Sequence, residues 1–344
     1  MRLGLVGTEL SPAGSDRGAI ELLLWGWAGE LARRGHDVRL FSFGQATCEP
    51  PEAFEIVLVS DLDELVAKLA MFGSDVIVLN NRPDWARLLH SPVVHVIHNA
   101  MQALAIADRS STRINLQGEK VLAVSRWLSC HFAEQLGLSV IPDVIGSFVA
   151  REFSLGSREY DRDKSEPDIR QVFFPNRLMI KKGVRVLLEA LDILGPQWHG
   201  KFPDYISPWE YPTEEHCILR AEVEKHPRAA LVPALRSRIA MAKAYRSSDV
   251  VAIPSIEPEG LGLAAIEAQV AGIPVVASDI GGLSEAVFEP NECVVPGDPS
   301  ALASALLIAP DRQSISSSAC SAIYERFNLV SSTNQLEAAL LSVS

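Results

Sequence analysis

Two tracts of the chain each alternate short apolar runs with stretches of helical period, and that alternation leaves few architectures other than parallel sheets covered by helices on both faces. In the first tract the runs Arg2–Val6, Val38–Phe43, Ile56–Val59, Val76–Leu79, Val93–Ile97 and Val121–Val124 read as strands. Gly18–Arg34 repeats apolar residues at helical spacing and stops at Gly35, a residue suited to close a helix. In the second tract Val172–Phe174, Ala229–Val232, Val250–Ile253 and Pro274–Ala277 read as strands. Gly183–Leu194, Ser237–Ser247 and Leu261–Ala271 read as helices, with another expected from Leu283. Between the tracts, Ser157–Asp168 carries many charges and almost no apolar residues, so it is expected to be a linker. The segment Gly195–His216 holds Pro196, Pro203, Pro208 and Pro212 with Trp198 and Trp209, shows no period, and is expected to be irregular.

The expected fold class is therefore α/β, with two Rossmann-like domains. They are placed at residues 1–156 and 169–323, joined by the linker at 157–168, with a helix of about residues 324–344 packing back on the first. At 344 residues and 48% hydrophobic content, the chain is long for one core. A net charge of -12 argues against nucleic acid as a partner, because phosphate binding needs concentrated Lys and Arg. The five cysteines, Cys48, Cys130, Cys217, Cys293 and Cys320, are scattered and form no CxxC pair, so neither a disulfide framework nor a metal site is expected. The first apolar run is too short for a secretory signal, and no run approaches the roughly 18 apolar residues of a membrane span. A cytoplasmic protein without an integral membrane segment is expected. Trp25 and Trp27 fall in the first helix, where packing is the expected role.

The densest passage is Pro254–Val287, PSIEPEGLGLAAIEAQVAGIPVVASDIGGLSEAV. A strand ends at Pro254-Ser255, a loop carries Glu259-Gly260-Leu261-Gly262, and a helix starts near Leu263. Glycines here permit close backbone approach, and the amides of a helix start suit a diphosphate. Glu259 and Glu267 lie eight residues apart, so both can project from one side, although a solvated helix face has the same spacing.

This passage resembles the E-x7-E signature of family 4 glycosyltransferases, retaining enzymes of the GT-B fold, and the likeness extends through the flanking P-S and G-I-P-V-V-A-S-D-I-G-G-x-x-E-A-V. The resemblance implies that Glu267 holds the nucleotide ribose and that Glu259 approaches the transferred sugar. Phe173–Leu191, FFPNRLMIKKGVRVLLEAL, looks like the family's strand, G-R-L, K-G and helix, with Arg177 and Lys182 where the diphosphate is gripped and Asn176 in place of the usual glycine. Two fixed cations can stabilise a departing diphosphate without a metal. Ser15–Val38 is similar to the family's glycine loop, helix and R-G-H-x-V, with Gly18 in the loop and Ala19 where a second glycine is common. His36 then belongs to a helix-to-strand turn, where a structural role is expected. His98, in VHVIHNA, stands where the family commonly has a His reaching the donor sugar. Ser147 and Ala150 replace frequent Asn and Asp.

The resemblance thus implies a GT-B protein whose two domains face a central cleft and which takes a nucleoside diphosphate sugar as donor and a small molecule as acceptor, with no cofactor. It places the base near Pro233–Leu235, with Leu235 as its contact, the ribose on Glu267, and the diphosphate on Arg177, Lys182 and the amides of Gly260, Leu261, Gly262 and Leu263. UDP and GDP remain alternatives, and so does the oligomeric state. An epimerase or phosphorylase of the same fold, or a non-catalytic nucleotide-sugar-binding partner, stands as the rival reading. Two D-x-D sequences are set aside as metal sites: Asp61-Leu62-Asp63 opens a helical pattern as a cap would, and Asp161-Arg162-Asp163 falls in the charged linker.

Overall fold

Every strand pairing among the described residues is parallel. Parallel neighbours cannot be joined by a hairpin and need a crossover connection. The computed structural model describes residues 1–7, 18–43, 53–99, 116, 119–154, 169–205, 212–289, 291–309 and 315–344. They form two units, Met1–Phe148 with Phe327–Ser344, and Val149–Arg326. The expected linker at 157–168, including Asp161 and Asp163, lies outside the described residues.

The first unit holds a sheet of β1 (Arg2–Val6), β2 (Asp37–Phe43), β3 (Glu55–Val59), β4 (Val76–Asn80), β5 (Val93–Ile97), β6 (Lys120–Ala123) and β7 (Asp143–Val144), in the order β3-β2-β1-β4-β5-β6-β7. All five residues of β4 and of β5 are buried, whereas edge strand β3 leaves Leu58 exposed. Helices α1 (Ala19–Arg33), α2 (Leu62–Phe72) and α3 (Arg126–Leu136) accompany it. Asp61 caps α2 by accepting the Glu64 amide at 2.8 Å, the ordinary helix start expected of that D-x-D.

The carboxyl terminus contributes two helices rather than one long one: α9 (Ser317–Arg326), in the second unit, and α10 (Leu329–Leu341), in the first. The break has a local cause, because the Asn328 side chain accepts the Ser331 amide at 2.8 Å and starts a new helix. α10 packs on α1. The fully buried Trp27 donates its Nε1–H to Ser332 Oγ at 2.8 Å, and Ser332 donates in turn to the Gly146 carbonyl. Glu337 pairs with Arg34 at 2.6 Å and His36 at 2.8 Å, which gives His36 the structural place expected of it. Trp25 packs edge-on against Phe54.

The second unit holds β8 (Arg170–Phe173), β9 (Trp198–Asp204), β10 (Ala229–Pro233), β11 (Val250–Ile253), β12 (Val275–Ser278) and β13 (Glu292–Val294), in the order β10-β9-β8-β11-β12-β13. Its helices are α4 (Val184–Leu194), α5 (Glu214–Lys225), α6 (Arg238–Arg246), α7 (Leu263–Val270), α8 (Pro299–Ile308) and α9. Two expectations are corrected here. The segment Gly195–His216 is not irregular throughout: β9 runs through it, pairing with β8 and β10, and α5 begins within it at Glu214. Pro203 and the polar His199 and Lys201 hide the strand, but Trp198 and Phe202 are buried and Pro203 sits opposite Val232. In place of a helix from Leu283 there is a single 3-10 turn, Ser284–Ala286. Gln269 of α7 stops it by donating to the Ala286 carbonyl at 2.7 Å and accepting the Phe288 amide at 2.8 Å.

Among the described residues no helix is long and apolar enough to cross a membrane. Replacing Trp27 with Phe removes the buried bond to Ser332 while keeping most of the apolar volume. It is expected to lower stability by roughly 1–2 kcal/mol, read as a lower denaturant midpoint.

Candidate functional site

In each sheet the direction of winding reverses once, between β1 and β4 and between β8 and β11. Open parallel sheets take ligands beyond the carboxyl ends of the strands flanking such a reversal. In the second unit those ends run into Phe174–Gly183 and Pro254–Gly262, the segments that hold Arg177, Lys182 and Glu259.

The two segments are locked together by backbone. Gly183 has φ +77°, and a Cβ built on it would lie 1.8 Å from the Pro254 carbonyl oxygen, so only glycine admits the contact. Beside it the Ile256 amide donates to the Lys181 carbonyl at 2.9 Å. The lock delivers Lys182 Nζ to 2.9 Å from Glu259 Oε2, while the Ser255 hydroxyl donates to Glu259 Oε1. A third segment, after β12, fixes the Glu259 backbone. The Gly282 amide donates to its carbonyl at 2.8 Å, and Gly281, at φ +61°, approaches so closely that a Cβ would lie 2.8 Å from the same oxygen. Glu259 therefore precedes α7 by a loop and is placed by these contacts, not by the helical spacing to Glu267.

Both helices that start here do so without a side-chain cap: α4 after Gly183, and α7 after Gly262 at φ +87°. Helix starts of this kind direct backbone amides outward and attract anions. Gly260 and Leu261 lead into the α7 start, and Leu263 is its first residue. Arg177 is exposed on the loop after β8. Asn176, just before it, turns a buried Nδ2 inward with no hydrogen-bond partner.

Glu267 lies apart from that ion pair, buried on α7. Tyr245 of α6 donates its hydroxyl to Glu267 Oε2 at 3.0 Å, and Arg238 Nη1 stands 3.5 Å from Oε1. Burial pushes the Glu267 carboxyl up, against the charge of Arg238 and the bond from Tyr245. Tyr205, just past β9, donates its hydroxyl to the Leu235 carbonyl at 3.4 Å, and burial followed by the Glu267 charge raises its phenol. Leu235 and Glu267 thus share the neighbourhood of Tyr205. Sequence reasoning did not single out Arg238, Tyr245 or Tyr205. The first two lie seven residues apart on a helix that was expected, so their common face was legible, but not what it faces. Tyr205 fell in the segment expected to be irregular.

His98 and Gly18 belong to the first unit. His98 follows β5, its amide donating to Asn81 Oδ1 at 2.7 Å and its Nε2 lying 2.8 Å from Asn80 Oδ1. Asn80 gives its Nδ2 to the Val6 carbonyl at 2.9 Å, so its oxygen faces the imidazole and the His98 proton sits on Nε2. Burial pushes His98 down to about 3, leaving it neutral. Asn81 takes the left-handed φ of 54° to present its side chain here. Gly18 precedes α1 and is exposed, and residues 8–17 before it lie outside the described residues. Among the described residues no group of three or more His, Cys, Asp or Glu side chains is placed to hold a metal ion.

Residues 169–309 match the sequence model of the family described as Glycosyl transferases group 1. No curated protein sequence matches the chain. Among solved structures, the chain is similar to sucrose-phosphate synthase from Thermosynechococcus elongatus, at 18% identity over 100% of both chains and a TM-score of 0.84. It is also similar to HepE of Anabaena in complex with UDP, at 21% identity over 99% of both chains and a TM-score of 0.77. A glycosyltransferase from Rickettsia africae is similar at 19% identity, over 100% of this chain and 99% of the other, with a TM-score of 0.76. The protein thus has the GT-B fold of two Rossmann-like α/β units, and residues 169–309 of its second unit are similar to the group 1 glycosyltransferase domain.

Gly183→Ala is expected to cost roughly 3 kcal/mol or more, through a strained φ and a backbone clash, seen as an early urea transition. The neutral His98 sets a pH dependence. Its folded value of about 3 lies below the unfolded 6.5, so the unfolded chain binds the extra proton, and stability present above 6.5 is lost as pH falls towards 3. His98→Gln should make the loss of stability over that window shallower, measured as denaturation midpoint against pH.

Proposed function

We propose that the chain is a retaining, metal-independent glycosyltransferase of family 4 type that moves a glycosyl group from a nucleoside diphosphate sugar to a small-molecule acceptor. The observation that carries this reading is the Lys182–Glu259 pair, set at the β8/β11 reversal between two helix starts that lack side-chain caps. A cation, a carboxylate and two sets of outward amides suit a sugar attached to a diphosphate better than either part alone. HepE, a relative in fold, has been crystallised with UDP and with UDP-glucose, which makes a uridine donor the first to try.

In this reading the bond between the anomeric carbon and the diphosphate oxygen breaks, and the leaving nucleoside diphosphate gains negative charge. Lys182, Arg177 and the amides of Gly260–Leu263 meet that charge. A fixed cation costs little reorganisation as the charge develops, and this is where most of the rate is gained. Lys182 is held by its ion pair with Glu259, and Glu259, held by Ser255 and the Gly281–Gly282 turn, keeps its place at sugar hydroxyls. Glu267 accepts the ribose hydroxyls, with the base near Leu235. The leaving phosphate oxygen takes the proton of the acceptor hydroxyl on the face it has just left, so the new bond keeps the anomeric configuration. Acceptor recognition is assigned to the first unit, the one that holds Gly18 and His98. A neutral imidazole whose Nε2–H is already given to Asn80 orients hydroxyls and does not shuttle protons. The enzyme works in the cytoplasm, where nucleotide sugars are made and where its scattered thiols stay reduced.

Thermal shift with UDP-, GDP-, ADP- and dTDP-linked sugars should show selective stabilisation by one nucleotide. With that donor, Lys182→Ala and Arg177→Ala should each lower transfer about 100-fold or more. Turnover and donor affinity unchanged in both variants would overturn the assignment.

A further inference from the structure

In the proposed function Glu267 is the carboxylate that binds the ribose, and the role of Arg238 inferred from its position rests on that reading. Only 5% of Glu267 is exposed, and a carboxylate so enclosed must either find a counter-charge or take up a proton. The difference matters to a ribose. An ionised carboxylate only accepts hydrogen bonds, with about four lone-pair sites, whereas the acid gives up acceptor capacity for a donor. Tyr245 occupies one site on Oε2 at 3.0 Å, and Arg238 stands 3.5 Å from Oε1. That leaves carboxylate lone pairs to accept two vicinal hydroxyls, provided Glu267 stays charged. Tyr245 supports this with one hydrogen bond but cannot ensure it, because a neutral phenol brings no counter-charge. Arg238 can, since its guanidinium stays protonated at any working pH and its side chain keeps 22% exposure, avoiding the full cost of burial.

We propose that Arg238 is a positioning residue of the donor site, which holds Glu267 as a carboxylate and leaves its lone pairs turned to the ribose hydroxyls of a nucleoside diphosphate. Neither the E-x7-E spacing nor the K-G loop announces it, because it reaches Glu267 from another helix, α6. The surroundings of Glu267 sharpen the assignment. α6 presents Arg238 and Tyr245, and the end of β9 presents Tyr205. The remaining elements packed on α7 bring Arg151 and Glu152 from the turn Arg151–Phe153, Glu285 from the turn after β12, and Tyr324, Glu325 and Arg326 from α9. None of these acts on the Glu267 carboxyl, whose ionisation answers to burial, Arg238 and Tyr245.

The test needs Arg238→Gln, Arg238→Lys and Glu267→Gln. Burial raises the folded carboxyl above its ordinary 4.5, so its charged form costs stability as pH rises through and beyond that value. Removing Arg238 enlarges that cost. In the ligand-free protein the Tm gap between the unaltered chain and Arg238→Gln should therefore be small near pH 4.5, widen towards about pH 8, and lose its pH dependence in a Glu267→Gln background. A gap independent of pH overturns the proposal. Calorimetry with UDP and GDP supplies the second arm. Arg238→Gln should bind about tenfold more weakly at the acid end of the range and recover as pH rises, because without the guanidinium burial raises the carboxyl further. Arg238→Lys should restore the profile of the unaltered chain. A loss equal at every pH makes Arg238 a plain structural contact and overturns the proposal. Binding of neither nucleotide by the unaltered chain, with the expected ligand-free gap, overturns the donor function and the ribose assignment while the ion pair stands.

Discussion

The approach of Gly183 to the Pro254 carbonyl is the contact on which the second unit's chemistry rests. Two strands neighbouring in space but far apart in sequence, β8 and β11, end side by side, and their outgoing loops have to share the space beyond them. Where a side chain would intrude, glycine lets backbone meet backbone. The loop after β8 is then held against the loop after β11, and Lys182 and Glu259 meet without either needing a long reach. Ser255 and the Gly281–Gly282 turn hold the carboxylate from two further directions, so the pair is part of the frame as much as of the surface.

The α/β class and most of the strands were legible because buried parallel strands leave continuous apolar runs, and the β1, β4, β11 and β12 segments are largely such runs. β9 was not, since Pro203 and the polar His199 and Lys201 interrupt its pattern, and its place depends on neighbours on both sides. A helix was expected from Leu283 because the local composition allows one, and Gln269, from a different element, forbids it. The candidate site shows the same division. Lys182 and the glycines could be read from a linear motif, since each stands within a short run of recognisable neighbours. Arg238, Tyr245 and Tyr205 could not, because their significance lies in Glu267, which each approaches across space.

The two acidic residues of the motif end in different electrostatic settings. Glu259 shares a partly buried setting with a lysine and a serine hydroxyl. Glu267 is enclosed, and its partners come from a helix braced by aromatic contacts: Tyr245 packs edge-on against both Phe153 and Phe173. In the proposed function the first carboxylate meets the sugar from this more open setting, and the second is already aimed. His98 in the first unit belongs to the aimed kind, tied through Asn80 to the end of β1.

The placement of α10 in the first unit has a consequence for how the chain is made. A ribosome delivers Trp27 305 residues before Ser332, so Trp27 waits through the synthesis of all that lies between for its partner. The second unit, continuous in sequence from Val149 to Arg326, has emerged in full before α10 appears. The unit begun first is therefore completed last, and until then the nascent protein shows an unfilled α1 face that a chaperone can recognise.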